Sequence, residues 1–208
     1  MRRFKWVWVI IALVVVVAFW SGLSKKDEKR KANIQWKEYS YSEEGFSIST
    51  PSEPQRKELL RKPKIPIKNG PIGITVTRFR SLIGKPLLGT VEFDVAITPL
   101  ADIFPPDKSP DEILPIMKHF FVKSTKAQTT QEKNISYNKH PGIEFVFHVP
   151  FYSRPERFDG VVRMYVVGDK AYQLQVFYEP GLDFFSKPNY EEAYKFLDSF
   201  KILGLEKS

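Results

Sequence analysis

The sequence predicts an α+β fold, in which an antiparallel β-sheet has helices packed on its faces, preceded by one N-terminal transmembrane helix. Most of the chain after residue 36 alternates apolar and polar side chains with a period of two, which is typical of strands with one buried face. Two segments, near residues 109–121 and 189–197, have helical spacing instead. The first residues combine basic side chains with a long uncharged run.

That uncharged run extends from Trp6 to Leu23 and follows Arg2, Arg3 and Lys5. At a rise of ~1.5 Å per residue, a helix over this range is roughly 27 Å long. The hydrocarbon core of a bilayer is ~30 Å thick, and tryptophans favour its edges. We therefore predict a membrane anchor over residues 1–24, which contacts the lipid bilayer through Trp6–Leu23.

The alternative to an anchor is a cleaved secretory signal. Such a signal has a short apolar core and a small-x-small cleavage site, but here large side chains, Trp20 and Leu23, occupy the places where small ones are needed. An uncleaved single-pass anchor is the favoured interpretation. The Lys/Arg count of the two flanks favours a cytoplasmic domain, whereas the export-like order of the N-terminus favours an extracytoplasmic one, which is the expected location.

Most of the net positive charge of the chain lies in its N-terminal part. Residues 1–35 hold eight Lys/Arg and two Asp/Glu, whereas residues 36–208 hold 24 and 22. Residues 25–35 are read as a charged juxtamembrane linker and residues 36–208 as one soluble domain. Because this domain is nearly neutral, we predict no nucleic-acid partner.

One basic stretch does occur within the domain, and it includes Arg56, Lys57, Arg61 and Lys62. Lys and Pro residues commonly protect the exposed edge of a sheet, so the favoured interpretation is a solvated edge strand. The functional alternative is contact with anionic lipid headgroups beneath an anchored domain, worth ~1 kcal/mol per residue.

The predicted strands follow in chain order. Alternation predicts strands near residues 46–50, 74–79, 91–98 and 143–149. The runs Phe158–Val167 and Lys170–Tyr178 are separated by Gly168-Asp169, which predicts a tight antiparallel hairpin.

Two helices are predicted by their start signals. Ser109 precedes Pro110 and two acidic residues, a favourable N-terminus, although Pro115 removes a backbone donor five residues later. The second helix is expected to open at Asn189, where Glu192 completes a capping-box-like pair. Its predicted apolar stripe consists of Tyr190, Ala193, Tyr194 and Leu197.

Four segments in this order resemble the PsbP-like fold family: EEGFSISTPSEPQRKE (residues 43–58), HPGIEFVF (140–147), RMYVVGDKAYQLQV (163–176) and FLDSFKIL (196–203). The resemblance implies an antiparallel sheet between helical layers, a PsbP-like α/β/α sandwich. Members of this family act as extrinsic subunits and binding modules. The resemblance brings no catalytic residues to this chain, and its middle, from about residue 65 to 128, lies outside the match.

Catalytic, metal-binding and cofactor-binding residues are not predicted. His119, His140 and His148 fall on different predicted elements, and no cysteine is present. Glu144 and His148 lie four residues apart on one predicted strand, which places them ~13 Å apart. They are therefore too distant to bind one metal ion together. Accordingly, no cofactor is expected.

Two loops are richer in apolar residues than ordinary loops. They contain Leu87 and Leu88, and Ile103 and Phe104, which form a candidate contact patch if exposed. The favoured alternative is that these side chains fold back onto the core.

The expected function is therefore a membrane-tethered, extracytoplasmic and non-enzymatic binding or assembly module with a protein partner. The alternative is a hydrolase or transferase with a site in a cleft near residues 65–128, because long insertions often carry function.

Overall fold

The computed structural model describes residues 35–61, 74–85, 89–101, 103–150, 158–179 and 190–204. The chain divides into two compact units, Met1–Trp36 and Lys37–Ser208. The predicted anchor Trp6–Leu23 lies outside the described residues. Among the described helices, none combines the length and the apolar character needed to cross a bilayer.

The elements of the second unit are mostly strands. They are β1 (Lys37–Tyr41), β2 (Phe46–Thr50), β3 (Gln55–Arg61), β4 (Ile74–Lys85), β5 (Gly89–Pro99), α1 (Pro110–Thr125), β6 (Gln128–Tyr137), β7 (His140–Val149), β8 (Phe158–Val167), β9 (Lys170–Glu179), α2 (Tyr190–Asp198) and β10 (Lys201–Ile202).

The described strands form two antiparallel sheets. The larger has seven strands in the order β3-β4-β5-β9-β8-β7-β6, and the smaller has three in the order β1-β2-β10. Helix α1 packs on one face of the larger sheet, against β7 and β8. Helix α2 contacts β9 and β2 on the opposite side. The predicted α+β class with an antiparallel sheet is thus confirmed.

Local sequence signals account for the turns and helix ends. Gly168 has a φ of 58°, which a glycine adopts without strain, in the two-residue loop between β8 and β9. At the start of α1, Ser109 and Glu112 form a capping box, and Pro110 occupies the first helical position. The helix continues through Pro115, so this proline neither delays the start nor ends the helix.

The sequence did not predict strands β1, β6 and β10, nor the separate three-stranded sheet. Strand β6 is largely exposed and lies at the edge of the larger sheet, where β7 is its pairing partner. Its polar sequence has no apolar face to mark it as a strand. In α2 the buried side chains are Ala193, Phe196 and Leu197, so the buried stripe includes Phe196 and omits Tyr190 and Tyr194 of the predicted one.

Aromatic side chains fill the space between the two sheets. Phe46 of β2 lies 5.1 Å from Phe79 of β4 and 5.9 Å from Phe200, measured between ring centroids. Phe93 of β5 lies 5.3 Å from Phe196 of α2. Packed rings bury large apolar areas, and this core joins α2 and the small sheet to the larger one.

Gly160 in β8 is closely surrounded by atoms of the neighbouring strands. A Cβ atom at this position would contact the carbonyl oxygen of Val176 and come within 2.7 Å of the Phe147 ring. We expect Gly160→Ala to lower the free energy of unfolding by about 1–3 kcal/mol, because the strands and the ring must move apart. Urea unfolding followed by circular dichroism measures this loss.

The control for Gly160→Ala is Lys123→Ala at an exposed position of α1, which should change stability by less than about 0.5 kcal/mol. Equal stabilities of Gly160→Ala and the wild type would show that the close packing at Gly160 is wrong.

Candidate functional site

The face of the larger sheet that carries α1 changes from apolar to charged across its width. The register pairs Phe147 with Gly160, Gly160 with Phe177, and Phe177 with Glu92. Residues paired across strands point to the same face. Phe121 of α1 covers the apolar part, 5.1 Å from the Phe147 ring. The charged part, on β4 and β5, extends beyond the contacts of the helix.

A cleft of about 420 Å³ opens where the apolar and charged parts meet. Binding sites for small molecules typically measure ~300–1,000 Å³. Its lining joins strands β4, β5, β7, β8 and β9 to helix α1. The lining residues are Arg78, Arg80, Glu92, Ala96, Thr98, Phe121, Ser124, Thr125, Val149, Phe158, Gln173, Gln175 and Phe177.

Four charged side chains form one ion-pair cluster at this cleft. Arg78 donates to Asp94 and lies 3.3 Å from Glu92. Arg80 lies 2.8 Å from Glu92 and 3.8 Å from Asp94. Asp94 is fully buried, whereas the other three line the cleft. A buried carboxylate is costly unless it is paired, so the two arginines offset the cost of burying Asp94.

Two glutamines extend the cluster along β9. Gln175 donates from Nε2 to Asp94 Oδ2 at 3.1 Å, and Gln173 donates to Gln175 at 2.9 Å. Among the described residues, two buried atoms, Arg78 Nε and Asp94 Oδ1, have no hydrogen-bond partner. An unsatisfied buried polar atom costs about 1–3 kcal/mol. Unsatisfied buried polar atoms are rare in native proteins, and a functional role is one of the explanations for them.

Glu92 is the group whose protonation responds to this environment. Burial, followed by the neighbouring Asp94, raises the pKa of Glu92 from 4.5 to about 7, and the guanidiniums of Arg80 and Arg78 oppose the rise only in part. Asp94 already engages Arg78, so Glu92 is the second anion in a small, poorly hydrated space. Near neutral pH, therefore, Glu92 exchanges a proton readily.

The raised pKa predicts how stability depends on pH. The unfolded chain releases the Glu92 proton near pH 4.5, while the folded domain holds it to about pH 7. Between these values the folded state binds more protons, so Glu92 makes the free energy of unfolding fall as pH rises, by up to about 1.4 kcal/mol per pH unit. Urea unfolding at several pH values should show this slope, and Glu92→Gln should remove it.

Titrating groups that do not contact Glu92 contribute equally to both proteins and cancel in the difference between Glu92→Gln and the wild type. Glu58→Gln, at an exposed position of β3, is the matched control and should retain the wild-type slope. Parallel curves for Glu92→Gln and the wild type would contradict the raised pKa.

The structure separates the members of the predicted contact patch. Leu87 and Leu88 lie outside the described residues. Phe104 is partly buried against the core beneath α1, and Ile103 packs against Ala96, which lines the cleft. These two side chains therefore face the interior in the described structure, as the favoured alternative expected. The patch as a whole remains a prediction.

The basic stretch lies on strand β3, at one edge of the larger sheet. Arg56 and Lys57 are exposed, and Arg56 lies 3.0 Å from Glu44 and 3.2 Å from Glu58. Arg61 ends this strand, and Lys62 lies outside the described residues. Contact of these four residues with headgroups remains a prediction, and the acidic neighbours of Arg56 reduce the local positive charge.

The histidines do not converge. His148 pairs with Asp159 of the neighbouring strand, with Nδ1 and Oδ1 2.5 Å apart, and His119 lies on α1 beside Phe120. Across the described residues, no group of three or more His, Cys, Asp or Glu side chains has the arrangement of a metal site.

A second ion-pair cluster, on the opposite face of the sheet, is structural. Glu144 is buried and accepts from Arg163 and from Lys133, the latter at 2.8 Å. Although burial raises the pKa of Glu144, these two cations bring it below its ordinary value. Arg163 also donates to Asp198 at 2.7 Å, so the cluster joins β8 to helix α2. Its partners are mutually satisfied, unlike those at the cleft.

Sequence analysis missed the cleft because Glu92 and Asp94 occupy the polar positions of an alternating strand. The alternation predicts that side chains at such positions face solvent. A signal was nevertheless present, since Arg78 and Arg80 show the same two-residue spacing in the preceding strand. Two basic residues facing two acidic residues across adjacent strands indicate a charged cluster when a helix covers that face.

Neither protein-family profiles nor curated proteins match the chain. Among solved structures, the chain is similar to the solution structure of cyanobacterial PsbP (CyanoP) from Synechocystis sp. PCC 6803. The TM-score is 0.49, the identity is 12%, and the match covers 81% of this chain and 93% of the other.

A second similar structure is the crystal structure of PA94, a protein of unknown function from Pseudomonas aeruginosa. Its TM-score is 0.38, its identity is 10%, and the match covers 77% of this chain and 92% of the other. Both similarities concern the backbone fold alone and transfer no functional residue to this chain.

Proposed function

We propose that this protein is a membrane-tethered binding module whose ligand occupies the cleft between helix α1 and strands β4, β5 and β9. The observation that carries the proposal is the incompletely satisfied cluster of Arg78, Arg80, Glu92 and Asp94 at a cleft whose lining combines polar and aromatic side chains. A site with a few converging polar groups and an apolar wall suits a small organic ligand.

The cleft proposal is tested by filling the cleft. Thr98 lines the cleft, whereas Thr130 lies exposed on β6. We expect some members of a panel of small organic acids, amines and alcohols to raise the melting temperature of the full chain. Thr98→Trp should abolish these shifts, and Thr130→Trp should retain them. Shifts that persist in Thr98→Trp, or a panel without any shift, would contradict the proposal.

Tethering outside the cytoplasm rests on the apolar run Trp6–Leu23 and its export-like N-terminal order. A reporter enzyme that is active only outside the cytoplasm, fused after Ser208, should be active in cells. The same reporter fused to residues 36–208 is the control and should be inactive. An inactive full-length fusion that is nevertheless expressed would place the domain inside.

A second candidate is an acid–base enzyme, a hydrolase or transferase, because Glu92 and Asp94 are paired carboxylates of which one has a pKa near neutrality. General acid–base groups work best when their pKa lies near the operating pH. Incubating a ligand found in the panel with the full chain, and following it by NMR, distinguishes the two. Turnover that Glu92→Gln abolishes favours the enzyme, and an unchanged ligand favours the binding module.

A further inference from the structure

We propose that the cleft binds the carboxylate of an organic acid on Arg80, displacing Glu92, which takes one proton from solvent and turns toward Asp94. This inference rests on the proposed binding function and adds the chemical class of the ligand. It also adds a coupled reaction: one ligand carboxylate and one proton enter together, and no covalent bond other than the Glu92 O–H forms.

Arg80 is the guanidinium that an incoming anion reaches first. Its side chain is 36% exposed against 17% for Arg78, and Arg78 is held by the buried Asp94. The Arg80 partner at 2.8 Å is the carboxylate of Glu92. Glu92 thus occupies the position of a ligand carboxylate. The planar fork of arginine matches such a group in geometry as well as charge.

Charge balance explains the proton. The charged groups that face Glu92 are Arg78 and Arg80 from β4 and Asp94 from β5. Lys57 of β3 is the exposed cross-strand neighbour of Arg78. Strand β9 and helix α1 contribute only neutral groups to the lining. Two arginines and two carboxylates balance each other, so a further anion in this half-buried space is accommodated when Glu92 is neutral.

Asp94 provides the acceptor for protonated Glu92. Its Oδ1 atom is buried, and the described residues give it no hydrogen-bond donor. Glu92 and Asp94 lie two residues apart on the same face of β5, and Asp94 is among the causes of the raised pKa of Glu92. The hydroxyl of a neutral Glu92 therefore satisfies the Asp94 carboxylate, while Arg80 becomes available to the ligand.

The apolar wall selects an organic acid over an inorganic anion. Phe121, Val149, Phe158 and Phe177 line the cleft together with the arginines. A ligand with an aromatic or aliphatic body buries apolar surface there, at ~25 cal/mol per Å². The one proton taken up compensates one added negative charge, which matches a carboxylate better than a doubly charged phosphate.

The test compares three probes with the same apolar body: 3-phenylpropionate, 3-phenylpropanol and 3-phenylpropylamine. Isothermal titration calorimetry uses the full chain in phosphatidylcholine nanodiscs, with empty nanodiscs as the blank. We expect the acid to bind most tightly and the amine least. Titrations at pH 8 in buffers of different ionisation enthalpy should show uptake of close to one proton per bound acid. The Kd of the acid should rise about tenfold per pH unit above pH 7.

Two variants locate this coupling. Glu92→Gln should bind the acid at pH 8 at least as tightly as the wild type does at pH 6, without proton uptake. Arg80→Gln should reduce the preference for acid over alcohol at least tenfold. Circular dichroism melting establishes that each variant is folded, and the proton count on the wild type needs no variant.

The outcomes separate this inference from the proposed function. If the alcohol or amine binds in the cleft as tightly as the acid, or the acid binds without proton uptake, the cleft still binds ligands and the carboxylate inference is overturned. If no probe binds, or if binding survives Thr98→Trp, both the inference and the proposed function are overturned.

Discussion

Arg78→Ala is expected to lower the free energy of unfolding by about 3–5 kcal/mol, the largest effect of any single substitution considered for the cleft. The reason is the position of Asp94, which is fully buried and engages the Arg78 guanidinium. Removing Arg78 leaves Arg80, 3.8 Å away, and one Gln175 amide as its remaining partners. Urea unfolding at pH 7 followed by circular dichroism measures the loss.

The double variant Arg78→Met/Asp94→Leu separates charge from packing. It replaces the pair by apolar side chains of similar volume, and such replacements of buried ion pairs are often neutral or stabilising. We therefore expect it to recover most of the stability that Arg78→Ala loses.

The control for Arg78→Ala removes an exposed cation instead. Lys108, which precedes α1, lies 2.6 Å from Glu112 at the protein surface, and Lys108→Ala should cost far less than Arg78→Ala because exposed ion pairs contribute little to stability. Equal losses in Lys108→Ala and Arg78→Ala would mean that Asp94 does not depend on its buried partner. If Arg78→Met/Asp94→Leu is stable but no longer binds the probes, the charges of Arg78 and Asp94 serve ligand binding.

The contrast between β5 and β6 shows what the sequence of a strand can predict. Strand β5 alternates Val91, Phe93 and Val95 with polar residues, so its existence and its buried face were predicted. Strand β6 lacks such a pattern, because an edge strand held by backbone pairing with β7 needs no apolar face. Prediction therefore succeeded where burial dictates the sequence and failed where hydrogen bonding alone suffices.

For helix α1, the sequence predicts the helix itself but not where it packs. The start of this helix depends on neighbouring residues, Ser109, Pro110 and Glu112, so the sequence predicts it correctly. Its packing position depends on contacts with β7 and β8, which lie later in the chain. That position, together with the side chains of β7, β8 and β9, forms the cleft at the charged end of the sheet face. The fold class was thus predictable from local patterns, whereas the site depends on tertiary placement.

The second large effect concerns the C-terminal segment. We expect a chain that ends at Pro188 to lose cooperative thermal unfolding, because it lacks helix α2 and strand β10. Four large buried apolar side chains disappear with them: Phe196, Leu197, Phe200 and Ile202. At ~1.5–3 kcal/mol for each large side chain, the loss is comparable to the ~5–15 kcal/mol stability of a whole domain.

The lost segment also closes the core between the sheets. Phe200 contacts the rings of Phe46, Tyr165 and Tyr172, and Ile202 pairs with Phe46 in the small sheet. Truncation therefore exposes the aromatic side chains of both sheets, beyond removing its own. Binding of a dye that reports exposed apolar surface should rise together with the loss of the cooperative transition.

A chain that ends at Gly204 retains α2 and β10 and is the matched control, with an expected melting curve close to that of the full chain. Phe196→Ala is the graded version of the truncation and should cost about 3–5 kcal/mol, because Phe196 is buried against Phe93. If the chain ending at Pro188 melts as cooperatively and at the same temperature as the chain ending at Gly204, helix α2 does not complete the core. The packing of Phe46 and Phe93 must then be satisfied without it.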